Sequence, residues 1–104
     1  MIRVRRATSE PTQLSTIRAE EMDRIHHESP AGPPSRKELG TRFTAVASEL
    51  WAQQNAKCCY CEIKCRLQGN DVEHYRPASS YWWLAWSWEN LLFACPNCNR
   101  WAKN

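Results

Sequence analysis

Six cysteines stand among the 104 residues, and four of them form two C-x-x-C pairs, Cys58/Cys61 and Cys95/Cys98. A tight knuckle between two cysteines aims both sulfurs at one point, and its backbone N–H groups can hydrogen-bond the thiolates. Two knuckles then close a four-sulfur tetrahedral shell around Zn²⁺ with no open position, which makes the expected site structural rather than catalytic. Zinc binding of that kind, worth on the order of 10 kcal/mol, would offset chain entropy that a small core cannot. Buried free thiols or a redox C-x-x-C are the competing readings, but a redox motif needs one pair, not two. Cys59 and Cys65 remain over. Either could replace a neighbour as ligand, although ordinary packing is favoured for both.

Between the knuckles lies Asp71-Val72-Glu73-His74-Tyr75-Arg76-Pro77, followed by Trp88-Glu89-Asn90-Leu91-Leu92-Phe93-Ala94 running straight into the second knuckle. Hydrolysis of a phosphodiester needs a base to deprotonate water and a cation to stabilise charge developing on the phosphate. His74 suits the first task, because histidine titrates near neutrality. Glu73 and Asn99 offer the oxygen ligands that a hard cation such as Mg²⁺ or Mn²⁺ accepts. A turn at Gln68-Gly69-Asn70 precedes a short strand pattern, so Glu73 and His74 point to opposite faces. They can serve one site only if the strand twists or the site wraps its edge.

The order C-x-x-C, Glu-His-x-x-Pro, Trp-x-Asn-Leu, C-x-x-C-Asn, from Cys58 to Asn99, resembles the zinc-containing HNH endonucleases. Glu73-His74-Tyr75-Arg76-Pro77 with Tyr81-Trp82-Trp83-Leu84-Ala85-Trp86, and more weakly Met1-Ile2-Arg3-Val4-Arg5-Arg6, are similar to a narrower group. These are the HNH effectors of Septu-type and retron-associated anti-phage systems, which work beside an SMC-like ATPase. The resemblance implies an α+β fold: a small ββα-metal core with structural zinc, preceded by a helical N-terminal segment. It also implies His74 as general base, Glu73 and Asn99 as ligands of a catalytic divalent metal, and Asn90 as the brace that orients His74. Arg76, Arg100 and Lys103 would meet nucleic acid, with DNA the expected substrate. The ββα core needs a helix after Asn99, where only a few residues follow, so that helix is expected to be short or truncated.

The elements that must position these groups are legible in part. Leu14, Ile17, Glu21, Met22 and Ile25 give residues 12–28 an imperfect helical stripe, and Ser29-Pro30-Ala31-Gly32-Pro33-Pro34 breaks it. Ser35-Arg36-Lys37-Glu38 is a capping box, and Leu39, Phe43, Val46, Ala47, Leu50 and Trp51 share one face, which predicts a helix over 36–54. Residues 1–56 are thus expected to be a helical support or docking segment and 57–104 the nuclease module. Trp82, Trp83 and Trp86 fit a short helix packed inward or against a partner, in preference to stacking on bases, and His26-His27 lacks partners for a metal.

A net charge of +3 permits a polyanionic partner without requiring one. No run approaches the roughly 20 apolar residues of a membrane helix, and the N-terminus lacks the apolar core of a secretory signal. Six thiols then belong in a reducing compartment, the cytoplasm. The alternative to catalysis is a zinc-stabilised nucleic-acid-binding or adaptor subunit of an ATPase complex. Such a module has no need of Glu73, His74, Asn90 and Asn99 together.

Overall fold

The apolar stripe of the first helix is long enough to form one uninterrupted element. In a computed structural model of the chain, which describes residues 9–29 and 31–98, α1 spans Thr12–Glu28 and buries Leu14, Ile17, Glu21 and Ile25. Met22, expected on this stripe, lies at its margin and is 36% exposed. The buried Glu21 carboxylate is held by Arg24, Nη2 to Oε1 3.0 Å, and by Arg42, Nη1 to Oε2 3.4 Å. That pairing satisfies the desolvated charge and ties α1 to the segment that follows.

That segment corrects the expectation of one helix over 36–54. It comprises α2 (Arg36–Leu39), a 3-10 turn (Arg42–Val46) and α3 (Ala47–Gln53). The capping box forms at Ser35 and Glu38, but Gly40 ends the helix at φ 71°. Open space surrounds Gly40, so the left-handed backbone angle, not crowding, is what requires glycine there. The apolar face survives the break, because Leu39, Phe43, Val46 and Leu50 all remain buried. Each such side chain contributes about 1.5–3 kcal/mol of burial free energy.

Two strands, β1 (Asp71–His74) and β2 (Leu91–Ala94), pair antiparallel with Val72 opposite Phe93, Glu73 opposite Leu92 and His74 opposite Leu91. One face of the sheet joins α1, α2, α3, Trp86 and Trp88 in the main core through Val72, Leu91 and Phe93. The other face, with Leu92 and Ala94, packs on Cys58 and Cys59. β2 is therefore buried on both sides, which is why it reads as an unbroken apolar run. A two-stranded sheet is marginal by itself, and its second edge is closed by a side chain. Gln54, fully buried past the end of α3, donates from Nε2 to the Phe93 carbonyl at 2.8 Å and accepts the Phe93 N–H on Oε1 at 2.9 Å.

The tryptophans divide by role. Trp86 and Trp88 fill the core, Trp82 packs partly against it, and Trp83 is 49% exposed. Instead of a short helix carrying all three, the segment makes one 3-10 turn at Trp82–Leu84 and a second at Trp88–Asn90. The chain is an α+β structure in which the helices and the sheet share one hydrophobic cluster. Among the described residues no helix is long and apolar enough to cross a membrane. The chain enters a helical turn at Pro96–Cys98. The helix expected after Asn99, like Met1–Arg6, lies outside the described residues.

Candidate functional site

The first cysteine knuckle is the tip of a small hairpin. Lys57 pairs with Lys64, the Cys58 N–H meets the Ile63 carbonyl at 3.1 Å, and the Glu62 N–H meets the Cys58 carbonyl at 3.1 Å. Within the tip, the Tyr60 N–H donates to Cys58 Sγ at 3.3 Å, the amide-to-sulfur bond expected of a metal knuckle. The second knuckle follows β2 directly. The ligand atoms of Cys58, Cys61, Cys95 and Cys98 lie within 4.8 Å of one another, with Cys61 and Cys95 sulfurs 3.9 Å apart. A tetrahedron with Zn–S bonds of about 2.3 Å has edges of roughly 3.8 Å, so this cluster could hold zinc with small adjustments.

The thiol chemistry of the cluster supports a cation. Burial acts to raise the Cys58 pKa, but hydrogen bonds from the Cys95 and Cys61 backbone and from neighbouring thiols outweigh it and the net shift is downward. Burial, then hydrogen bonding with the other three thiols, pushes Cys98 up to about 12. Four sulfurs this close cannot all ionise without a compensating positive charge. Cys59 and Cys65 stand outside the cluster. Cys59 is wholly buried, and burial, then the charges of Cys58 and Glu73, pushes its thiol up to about 12. Burial likewise raises Cys65, whose Sγ donates to the Ile63 carbonyl at 3.2 Å.

Glu73 and His74 leave β1 on opposite faces, as alternation requires, and are brought together at its edge. Both line a cleft of about 310 Å³, with Arg36, Pro77, Ala78 and Ser79 among the other walls. Glu73, 5% exposed, is on the cysteine side, where the Tyr60 hydroxyl donates to its carboxylate. His74, 8% exposed, is on the helical side, its ring 4.4 Å from that of Phe43 at 57°. His74 Nε2 lies 2.9 Å from the Ala85 carbonyl. A carbonyl only accepts, so Nε2 carries the proton and the lone pair of the neutral ring belongs to Nδ1.

Asn90 stands behind this pair rather than in the cleft. Its backbone carbonyl accepts the Tyr75 N–H at 2.9 Å. Its side-chain Oδ1 accepts the Arg76 N–H at 2.8 Å, while Nδ2 donates to the Arg76 carbonyl at 3.3 Å and the Leu84 carbonyl at 3.2 Å. One buried amide thus ties the chain leaving β1 to the segment that presents the Ala85 carbonyl to His74. Arg76 is exposed and its guanidinium sits 5.4 Å from the Tyr81 ring centroid; Arg76 is not among the described residues lining the cleft. Asn99, Arg100 and Lys103 lie outside the described residues, Asn99 one position past the second knuckle.

Three residues at the site went unmarked in the sequence. Arg36 was legible only as part of a capping box, Phe43 only as core, and Tyr60 only as the filler of a knuckle. Their contacts are long-range, and no local pattern signals them.

Residues 58–104 match the family model for HNH endonuclease, and the chain carries a domain of that family. It is similar to Septu protein PtuB of Bacillus thuringiensis, 43% identical over 93 residues covering 72% of this chain and 35% of that protein. It is also similar to Septu protein PtuB of Bacillus mycoides strain KBAB4, 36% identical over 70 residues covering 54% of this chain and 24% of that protein. The chain therefore spans 24–35% of the length of these relatives. No solved structure matches it.

Proposed function

We propose that the chain is a metal-dependent HNH endonuclease that hydrolyses phosphodiester bonds in DNA, a cytoplasmic effector of an anti-phage system working with an SMC-like ATPase. The observation that carries this reading is the cleft at the edge of β1, where a buried carboxylate and a tautomer-fixed imidazole meet. Similarity to the Septu PtuB proteins supports the defence role, and the ATPase partner follows from the sequence resemblance to the Septu-type effectors alone.

In the proposed mechanism His74 Nδ1 takes the proton of the attacking water. The Ala85 carbonyl holds Nε2–H and stabilises the imidazolium as it forms. Phe43 fixes the ring plane. Glu73 would be the carboxylate ligand and Asn99 the neutral one; a Mg²⁺ or Mn²⁺ ion held there would supply positive charge to the phosphate and the leaving oxygen. Asn90 acts through the backbone as a positioning residue. Zinc on Cys58, Cys61, Cys95 and Cys98 would fix the hairpin bearing Tyr60 against Glu73. Arg76, Arg100 and Lys103 remain candidates for contact with flanking phosphates.

The test is nicking of supercoiled plasmid by the zinc-loaded chain in Mg²⁺ or Mn²⁺, with and without the ATPase partner. Metal-dependent nicking that His74→Ala abolishes is expected. Equal nicking by both proteins, or none by either even with the partner present, overturns the catalytic assignment and leaves the binding-module alternative.

A further inference from the structure

Arg36 opens α2 in the N-terminal segment, yet it lies on the cleft that holds Glu73 and His74. It also borders a second depression of about 320 Å³, lined by Asn70, Asp71 and Val72 among others. Arg36 is the lip shared by two hollows that run along the edge of β1.

Its position is fixed from several sides. The capping box sets the start of the helix, with the Glu38 N–H on Ser35 Oγ at 3.2 Å and the Ser35 N–H on Glu38 Oε1 at 3.0 Å. Arg36 Nη1 donates to the Gly40 carbonyl at 3.2 Å, a bond that the positive φ of Gly40 makes possible by turning the chain back. The guanidinium carbon lies 5.3 Å from the centroid of the Phe43 ring, and that ring in turn contacts His74 at 4.4 Å. Guanidinium, phenyl and imidazole form one train from α2 to the end of β1. A side chain of this length ordinarily loses much rotamer entropy on binding a ligand; here the backbone carbonyl and the aromatic ring restrain it beforehand.

We propose that Arg36 is a phosphate-binding residue of this cleft, its ligand the phosphodiester backbone of a nucleic acid strand passing along the β1 edge. The inference rests on the nuclease reading and extends it: the N-terminal segment supplies part of the substrate site and is more than support. The planar guanidinium fork matches two phosphate oxygens, and Arg36 brings it to the edge of β1 beside Glu73 and His74. Arg76 is directed to Tyr81 instead.

The experiment is equilibrium binding of a fluorescein-labelled 20-base-pair DNA duplex, and of the single strand of the same sequence, to the full zinc-loaded chain. It is run without Mg²⁺ or Mn²⁺ across a salt series. Arg36→Ala is expected to weaken binding several-fold and to lower the slope of log K against log salt by roughly 0.7–0.9, the release of one phosphate contact. Arg36→Lys keeps the slope and loses part of the affinity, because the charge stays and the fork goes. Lys37→Ala, its exposed neighbour on α2, leaves both unchanged. Near-ultraviolet circular dichroism identifies any variant that fails to fold, and Arg36→Lys then decides by its affinity. Wild-type affinity and slope in both Arg36 variants, loss in Lys37→Ala equal to that in Arg36→Ala, or no binding by the wild type at low salt each overturn the proposal. Failure of the nuclease reading registers separately, as equal plasmid nicking by wild type and His74→Ala.

Discussion

Replacing Asn90 by alanine deletes three hydrogen bonds from a side chain that is 5% exposed: one from the Arg76 N–H and one each to the Arg76 and Leu84 carbonyls. At about 1 kcal/mol for each bond, and with partly buried backbone groups left unsatisfied, the loss is about 2–4 kcal/mol. That is a large share of the roughly 5–15 kcal/mol that holds a domain together. In urea, with a slope of about 2 kcal/mol per molar, the midpoint is expected to fall by about 1–2 M. Asn90→Asp keeps the acceptor for the Arg76 N–H but turns an oxygen toward two carbonyls. Its folded-state pKa is then raised above the unfolded value, so its stability is expected to fall as pH climbs through the unfolded value and to stay low above the folded one. Both variants are expected to lose cleavage under conditions where they remain folded, since the loop that presents Ala85 to His74 is released. A loss under 0.5 kcal/mol in Asn90→Ala, with cleavage retained, would refute the bracing role.

Three further outcomes follow from other contacts. Gln54→Ala opens the paired bonds to Phe93 on the edge of β2 and is expected to cost about 2–3 kcal/mol by urea denaturation; a change below 0.5 kcal/mol would argue against an edge-closing role. Native mass spectrometry is expected to show one zinc per wild-type chain and per Cys59→Ser chain, but loss of zinc in Cys61→Ser, with affinity rising with pH as zinc displaces thiol protons; zinc retained by Cys61→Ser would contradict the four-sulfur site. Glu10, held down to about 2 chiefly by the hydrogen bond from Arg18 and then that from Ser15, contributes stability that is present above the ordinary carboxylate range and lost as pH falls toward 2. Glu10→Gln should accordingly lose less stability on acidification than wild type, and identical acid limbs in urea titrations would dismiss the contribution.

What the sequence revealed was governed by local spacing. The two knuckles, α1, the capping box at Ser35 and the strand through Glu73 and His74 are each set by residues a few positions apart, and each lies where spacing put it. The break at Gly40 was hidden because the apolar stripe continues beyond it: Leu39, Phe43, Val46 and Leu50 stay on one side whether the helix is whole or interrupted. Gln54 and Arg36 act across 39 residues and across the cleft respectively, and nothing adjacent to either marks it. The opposite faces of Glu73 and His74 followed from strand alternation, whereas the shared cleft depends on Pro77 to Ser79 folding over the edge. The guanidinium of Arg76 sits over the Tyr81 ring, a cation–ring contact that the sequence motif did not signal.

The proposed cleavage depends most on His74. Its most direct test is the single-turnover rate at which the zinc-loaded full chain, in Mg²⁺ or Mn²⁺ and with its partner if one is required, cleaves a labelled duplex with and without that imidazole. Removal of a general base slows such a step by roughly 10²–10⁴-fold, so His74→Ala, with its zinc content and circular dichroism unchanged, is expected to fall by at least the lower figure. Cleavage by His74→Ala within a few-fold of wild type would contradict the account, and would return His74 to the rank of a buried histidine packed on Phe43.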